Sequence, residues 1–270
     1  MRNGSYFETE PGVEIYYEVT GEGSPLIFVP GWTFTTEVFD HQVAHFSKSY
    51  QVISFDPRSQ GRSTITVQGN DYTTQSADLA KLIGHLNLAN PVIIGWSYGS
   101  LSLWGLVRLQ GTKNLKGLVF IDLPPTPVSG KDEWVEFSLE EAAEFYQSLT
   151  TSKGHKERVS AYAKNTMLQG EISQEELDWI VNQSTQSPSW VATAYCAAGM
   201  FSNYEIESQE VDRRLKTLFI VADSSEDKAR IYLETKLPNA KAEYLGGHVM
   251  FWEFPEKFNT ILGNYLGSLD

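Results

Sequence analysis

Apolar positions along this chain follow two periods. Short runs rich in Val, Ile and Phe read as strands buried on both faces: LIFV (26–29), YQVISF (50–55), PVII (91–94) and LVFI (118–121). Between them the spacing turns helical. EVFDHQVAHF (37–46) carries one such stripe, and residues 75–88 place Leu79, Leu82, Ile83 and Leu86 on one face. Another helix is expected over about 97–109. At the N-terminus, YFETEPGVEIYYEVT reads as two strands turning at Pro11 and Gly12. Strands alternating with helices predict an α/β fold, a mostly parallel, doubly wound sheet of about eight strands.

The alternation stops after Pro124. From there to Arg214 no convincing buried strand appears, but two helix starts do. Ser138-Leu-Glu-Glu141 and Ser173-Gln-Glu-Glu176 both have the capping-box form, in which the serine and the third following glutamate satisfy each other's free N–H groups. Strand and helix resume with LKTLFIVAD (215–223), a helix over 225–236, a strand over 242–245 and a last helix over 255–266. Residues 1–123 and 215–270 are therefore expected to form one core. Residues 124–214 form a helical insert ahead of the last two strands.

Composition narrows the function classes. A net charge of −13 opposes nucleic-acid binding, which depends on Lys and Arg neutralising phosphates, and disfavours anionic membrane surfaces. No apolar run is long enough to span a bilayer. The first residues, MRNGSYFETEPG, lack the apolar core of a secretory signal. A single cysteine, Cys196, permits no intrachain disulfide. A cytoplasmic protein acting on a small molecule is the expectation, with no nucleic-acid or membrane partner; nothing in the chain speaks to its oligomeric state.

The chemistry is concentrated in GWSYG (95–99), directly after the 91–94 strand. A small-residue turn is one explanation. The other is a nucleophile elbow, in which a serine on a strained strand-to-helix turn exposes its Oγ and flanking glycines relieve collisions. With Gly and Ser each near ~7% of residues, this pattern arises by chance in roughly one chain in ten. A buried strand before it and a helix after it favour Ser97 as a nucleophile. Serine needs a base. His41 and His45 form HxxxH, but Gln42 stands where a zinc protease has glutamate, and no metal is expected. His85 and His155 read as surface or boundary residues. His248 follows the last strand on a Gly246-Gly247 loop, over the carboxyl edge where Ser97 also sits, and is the expected base.

Together these features resemble the α/β-hydrolase superfamily from end to end, with the insert standing where that family carries its cap. The serine-before-histidine order is the family's. Val29-Pro30-Gly31-Trp32 stands where the family commonly has His-Gly, and the match implies an oxyanion hole from the backbone N–H groups of Trp32 and Tyr98. Asp56-Pro-Arg-Ser-Gln-Gly-Arg-Ser63 is similar to a family loop, and Asp56 and Arg58 are read there as structural. The acid departs from the common pattern. The family usually supplies it after the LFIV strand, where this chain has Ala222-Asp-Ser-Ser225. Some members place it at the end of the strand before the cap, and Asp122 closes LVFI here. A carboxylate there is expensive to bury without a partner. Asp122 is the expected acid and Asp223 the alternative.

The resemblance implies an acyl-enzyme serine hydrolase of the carboxylesterase kind, with no cofactor, acting on a small, neutral, largely apolar ester or lactone. Amide, C–C or peroxide-dependent chemistry on the same triad, or a low-turnover binding protein, are its rivals. Phe34, Trp96, Met250 and Trp252 flank the motifs and are expected to contact substrate. Within the insert, Trp134, Phe137, Phe145, Tyr146, Trp179, Trp190, Tyr195, Met200 and Phe201 divide between its own core and the seam with the sheet.

Overall fold

A computed structural model describes residues 4–128, 134 and 138–269; Phe137 lies outside them. The chain starts with β1 (Gly4–Glu10) and β2 (Val13–Thr20), followed by β3 (Pro25–Val29), α1 (Asp40–Phe46), β4 (Gln51–Phe55) and α2 (Tyr72–His85). Next come β5 (Val92–Trp96), α3 (Gly99–Gln110) and β6 (Gly117–Ile121). Among the described residues, five α-helices intervene, α4 (Leu139–Ser148), α5 (Ser152–Tyr162), α6 (Gln174–Thr185), α7 (Ser189–Met200) and α8 (Glu205–Arg214), with a π turn over Ala163–Met167 after α5. The chain closes with β7 (Thr217–Val221), α9 (Glu226–Lys236), β8 (Lys241–Tyr244), α10 (Met250–Glu253) and α11 (Pro255–Gly267). Among the described residues, no helix is long and apolar enough to cross a membrane.

The eight strands form one sheet in the order β1-β2-β4-β3-β5-β6-β7-β8, antiparallel through β1, β2 and β4 and parallel from there on. Alternate residues of each central strand go to opposite faces. Ile27, Ile93, Phe120 and Phe219 pack with Leu79, Leu103 and Trp104 of α2 and α3. Phe28, Ile94, Ile121 and Ile220 pack on the other face with Phe46, Phe258 and Leu262. Trp104 lies flat on Phe120, their ring centroids 3.7 Å apart. This burial on both faces is why these strands read as unbroken apolar runs. Successive connections run outward in opposite directions from β3 and β5. A crevice therefore opens beyond their carboxyl ends, the place where open α/β sheets bind ligands.

Element edges differ from the sequence reading where capping residues decide them. α2 starts at Tyr72, not 75, because the Asp71 side chain accepts the Thr74 N–H. The 37–46 stripe divides into a 3-10 turn over Thr36–Phe39 and then α1. Both capping boxes form, at Ser138 with Glu141 and at Ser173 with Glu176.

The Asp56 loop is held as a structural element. Asp56 Oδ1 accepts the Thr36 N–H at 2.8 Å and Oδ2 the Arg62 N–H at 2.9 Å. Burial nonetheless raises the Asp56 carboxyl above the ordinary carboxylate range. Arg58, buried, reaches Asp78 through Nε at 2.9 Å and Nη2 at 3.0 Å, and also pairs with Glu10. Removing Asp78 would leave the buried Arg58 charge with the half-exposed Glu10 in place of its buried partner. Asp78→Ala is thus expected to destabilise the fold by about 3–5 kcal/mol, read as a lowered urea midpoint. An unchanged midpoint would show that the loop is held elsewhere.

Candidate active site

Ser97 follows β5 in the left-handed region, with φ of 51°, where non-glycine residues carry strain. Its N–H still bonds the Ile121 carbonyl at 2.8 Å, so the turn is anchored to β6. The glycines on either side are dictated by close approach. A Cβ on Gly99 would lie 2.4 Å from the Pro30 carbonyl oxygen, and one on Gly95 2.8 Å from Ser100 Cα. Gly99 thereby lets the start of α3 sit against the end of β3, which brings the Trp32 segment beside Ser97.

Asp122 follows the next strand in the same way, with φ of 53° and its N–H bonded to the Ile220 carbonyl at 2.9 Å. Its buried carboxylate has two partners. Oδ1 accepts the Ala222 N–H at 3.0 Å, and Oδ2 meets His248 Nδ1 at 2.6 Å. An ionised carboxylate can only accept, so the imidazole proton sits on Nδ1 and Nε2 is left free to take one. Trp96 fixes the loop carrying the imidazole: its indole Nε1 donates to the His248 carbonyl at 2.7 Å. Asp223 goes elsewhere. It is exposed, and its Oδ2 accepts the Gly246 N–H at 2.9 Å and a Gln169 amide N–H at 2.7 Å. Of the two candidate acids, the fold brings Asp122 to His248.

Ser97, Asp122 and His248 line one cavity of about 260 Å³. Trp32 and Tyr98 line it too, and among the described residues neither of their backbone N–H groups has an acceptor. The Ser97 hydroxyl likewise has no hydrogen-bond partner among them, as is common in free enzymes, where such bonds tighten on substrate binding. The far walls are Leu123, Trp134, Phe145, Tyr162, Cys196 and Met200, with Ser224 and Ser225 at the rim. Burial pushes the Cys196 thiol up to about 12, so it stays protonated at neutral pH. A smaller recess of about 40 Å³ that also borders Ser97 is bounded by Phe34, Trp96, Val159, Met167, Ser184 and His248.

Two expected substrate contacts are placed elsewhere. The chain coils into α10 straight after His248. This turns Met250 inward, fully buried on the sheet, and Trp252 outward, stacked on Trp179 at 5.4 Å beside a separate hollow. Neither borders the Ser97 cavity. His155 also departs from its reading as a surface or boundary residue: it is 1% exposed, with its ring 5.5 Å from Trp32 and Nε2 3.2 Å from Ser184 Oγ. Tyr162, unremarked in the sequence reading, stands edge-on to the His248 ring at 5.7 Å. His155, Val159 and Tyr162 fall at i, i+4 and i+7, the one signal by which that face of α5 could have been found.

The model of the alpha/beta hydrolase fold matches residues 24–168. The chain belongs to the alpha/beta hydrolase family. Among curated members it is similar to a non-heme chloroperoxidase of Kitasatospora aureofaciens, 32% identical over 122 residues and 44% of each chain. Two solved structures match almost throughout. A bromoperoxidase from Bacillus anthracis has a TM-score of 0.87 at 20% identity, covering 98% of this chain and 100% of its own. The esterase EaEST from Exiguobacterium antarcticum has a TM-score of 0.87 at 21% identity with the same coverage. At these identities the two structures bear on the fold alone.

In this hydrolase, burial pushes His155 down from the ordinary 6.5 to about 4. The unfolded chain takes a proton near 6.5 that the folded chain refuses until about 4. The stability lost to this group is therefore nil above pH 6.5 and grows as pH falls toward 4. Urea midpoints at pH 7 and 4.5 should differ more for the wild type than for His155→Gln. Equal differences would show that His155 does not resist protonation.

Proposed function

We propose that the chain is a serine hydrolase of the carboxylesterase kind, cleaving a small, neutral, largely apolar carboxylic ester or lactone through an acyl-enzyme. The observation that carries this reading is the 2.6 Å bond between His248 Nδ1 and Asp122, in one apolar-walled cavity with Ser97. Ser97 Oγ attacks the carbonyl carbon while His248 Nε2 takes its proton. Asp122 holds the imidazole in the required tautomer and steadies the charge it gains. The Trp32 and Tyr98 N–H groups receive the oxyanion, each donor contributing about 3 kcal/mol. His248 returns the proton to the leaving alcohol, then activates the water that releases the acid. The helices between β6 and β7 serve as the cap over this site.

Substrate size and charge follow from the walls. At about 260 Å³ the cavity falls just below the usual range of roughly 300–1,000 Å³ for ligand sites, which suits a small molecule. Neither Lys nor Arg is among the described residues lining it, so an anionic substrate has no counter-charge there. Phe34 and Trp96 bound the small recess and would contact one arm of the ester.

A second reading draws on the relatives named chloroperoxidase and bromoperoxidase. Hydrogen peroxide would replace water at the acyl-enzyme: its oxygen attacks the acyl carbon, His248 takes its proton, and Ser97 leaves and is reprotonated. The product is a peracid.

Turnover of p-nitrophenyl esters from acetate to decanoate, with and without hydrogen peroxide, tests both readings. Hydrolysis should favour short chains and vanish in Ser97→Ala. Asp122→Asn should cut kcat by about 10³-fold or more, while Asp223→Asn keeps most of it. The reverse order of the two Asp variants would overturn the acid assignment. Peracid outpacing acid at low peroxide would favour the second reading.

A further inference from the structure

Two residues after β3 are held by three of the helices that follow β6. Trp32 donates its indole N–H to the Ala192 carbonyl of α7 at 2.8 Å, and its ring lies against His155 of α5. Thr33 is fully buried with φ of 64°, a conformation a β-branched residue seldom adopts. Its hydroxyl meets the Trp32 carbonyl at 2.6 Å and Ser184 Oγ of α6 at 2.5 Å. Ser184 in turn meets His155 Nε2 at 3.2 Å.

The proton count gives this chain a direction. Thr33 has one hydroxyl proton and gives it to the Trp32 carbonyl, so toward Ser184 it can only accept. Ser184 then gives its one proton to Thr33 and can only accept from His155. His155 must therefore carry its proton on Nε2. The sequence runs from His155 through Ser184 and Thr33 to the Trp32 carbonyl, its first two links buried and the last part-buried. An uncharged imidazole fits such a place, in keeping with its lowered pKa. Each donor strengthens the next, and the loss of any one leaves a buried polar group unpaired.

We infer that His155 and Ser184 are positioning residues that act through Thr33 to hold the Trp32 N–H in place as an oxyanion donor. The inference rests on the serine-hydrolase reading above. It makes the helices between β6 and β7 part of the transition-state machinery as well as a wall of the pocket. A donor aimed at the oxyanion is of use mainly in the transition state, so loosening it should lower kcat and leave substrate binding nearly unchanged.

The test compares Ser184→Ala, His155→Leu and His155→Gln on p-nitrophenyl acetate, with folding checked by thermal melting and Ser97→Ala as reference. Ser184→Ala and His155→Leu should lower kcat by about tenfold with KM within about twofold, since small misplacements at an oxyanion site are costly in rate. Affinity for a boronic acid, which takes up the tetrahedral geometry on Ser97, should fall by a similar factor. His155→Gln keeps an N–H donor and should recover most of the rate. Should His155→Leu fail to fold, Ser184→Ala, which deletes one oxygen, decides alone. A folded Ser184→Ala with wild-type kcat, or a rise in KM with kcat unchanged, would overturn the inference while leaving the hydrolase reading standing. Hydrolysis that persists in Ser97→Ala would instead overturn that reading itself.

Discussion

A carboxylate taken out of water must be paid back in hydrogen bonds, and Asp122 sets that requirement at the centre of this protein. It sits at the end of β6, buried, where a neutral side chain would have been easier to place. Its two oxygens are answered by the Ala222 N–H at the end of β7 and by His248 Nδ1. Both partners come from chain that follows the long helical insert, so the site closes only when the second part of the core has joined the first. The same bonds fix the imidazole's tautomer, and Trp96 clamps the His248 backbone from the strand that carries Ser97. Three strand ends are thereby tied to one another through groups that also serve the proposed chemistry.

Three strained non-glycine residues lie at the same edge. Thr33, Ser97 and Asp122 all take positive φ, following β3, β5 and β6 in turn. Each such residue costs of order 1–3 kcal/mol and persists only where its surroundings hold it. At Ser97 and Asp122 the holding is done by backbone bonds to neighbouring strands. At Thr33 it is done by side chains of helices inserted more than a hundred residues later. Those helices therefore act on the crevice in two ways: they wall it with Phe145, Tyr162 and Met200, and they brace one of its edges.

The sheet was legible because burial on both faces writes itself as unbroken apolar runs. The elbow was legible because backbone collisions demand glycine at fixed offsets, a steric rule that survives as letters. Asp122 stood out as a charge closing an apolar strand, and the geometry joins it to His248. Directions after a loop were not legible. Met250 and Trp252 follow His248 closely in sequence, yet the helical turn between them points one into the core and the other away. His155 carried only its place in the helical spacing with Val159 and Tyr162, since its burial depends on how α5 lies against Trp32, a contact between residues far apart in the chain. Tyr162 was readable only as the third member of a helical face whose importance the sequence did not reveal.

The central claim is that Ser97 is the nucleophile and that Asp122, through His248, makes it one. The most direct measurement is stoichiometric labelling with diisopropyl fluorophosphate, followed by intact mass and peptide mapping. One phosphoryl adduct per chain is expected, on the peptide containing Ser97, absent from Ser97→Ala and slowed at least about 100-fold in Asp122→Asn. An adduct on another residue, or none from a wild type that turns over p-nitrophenyl acetate, would contradict the account.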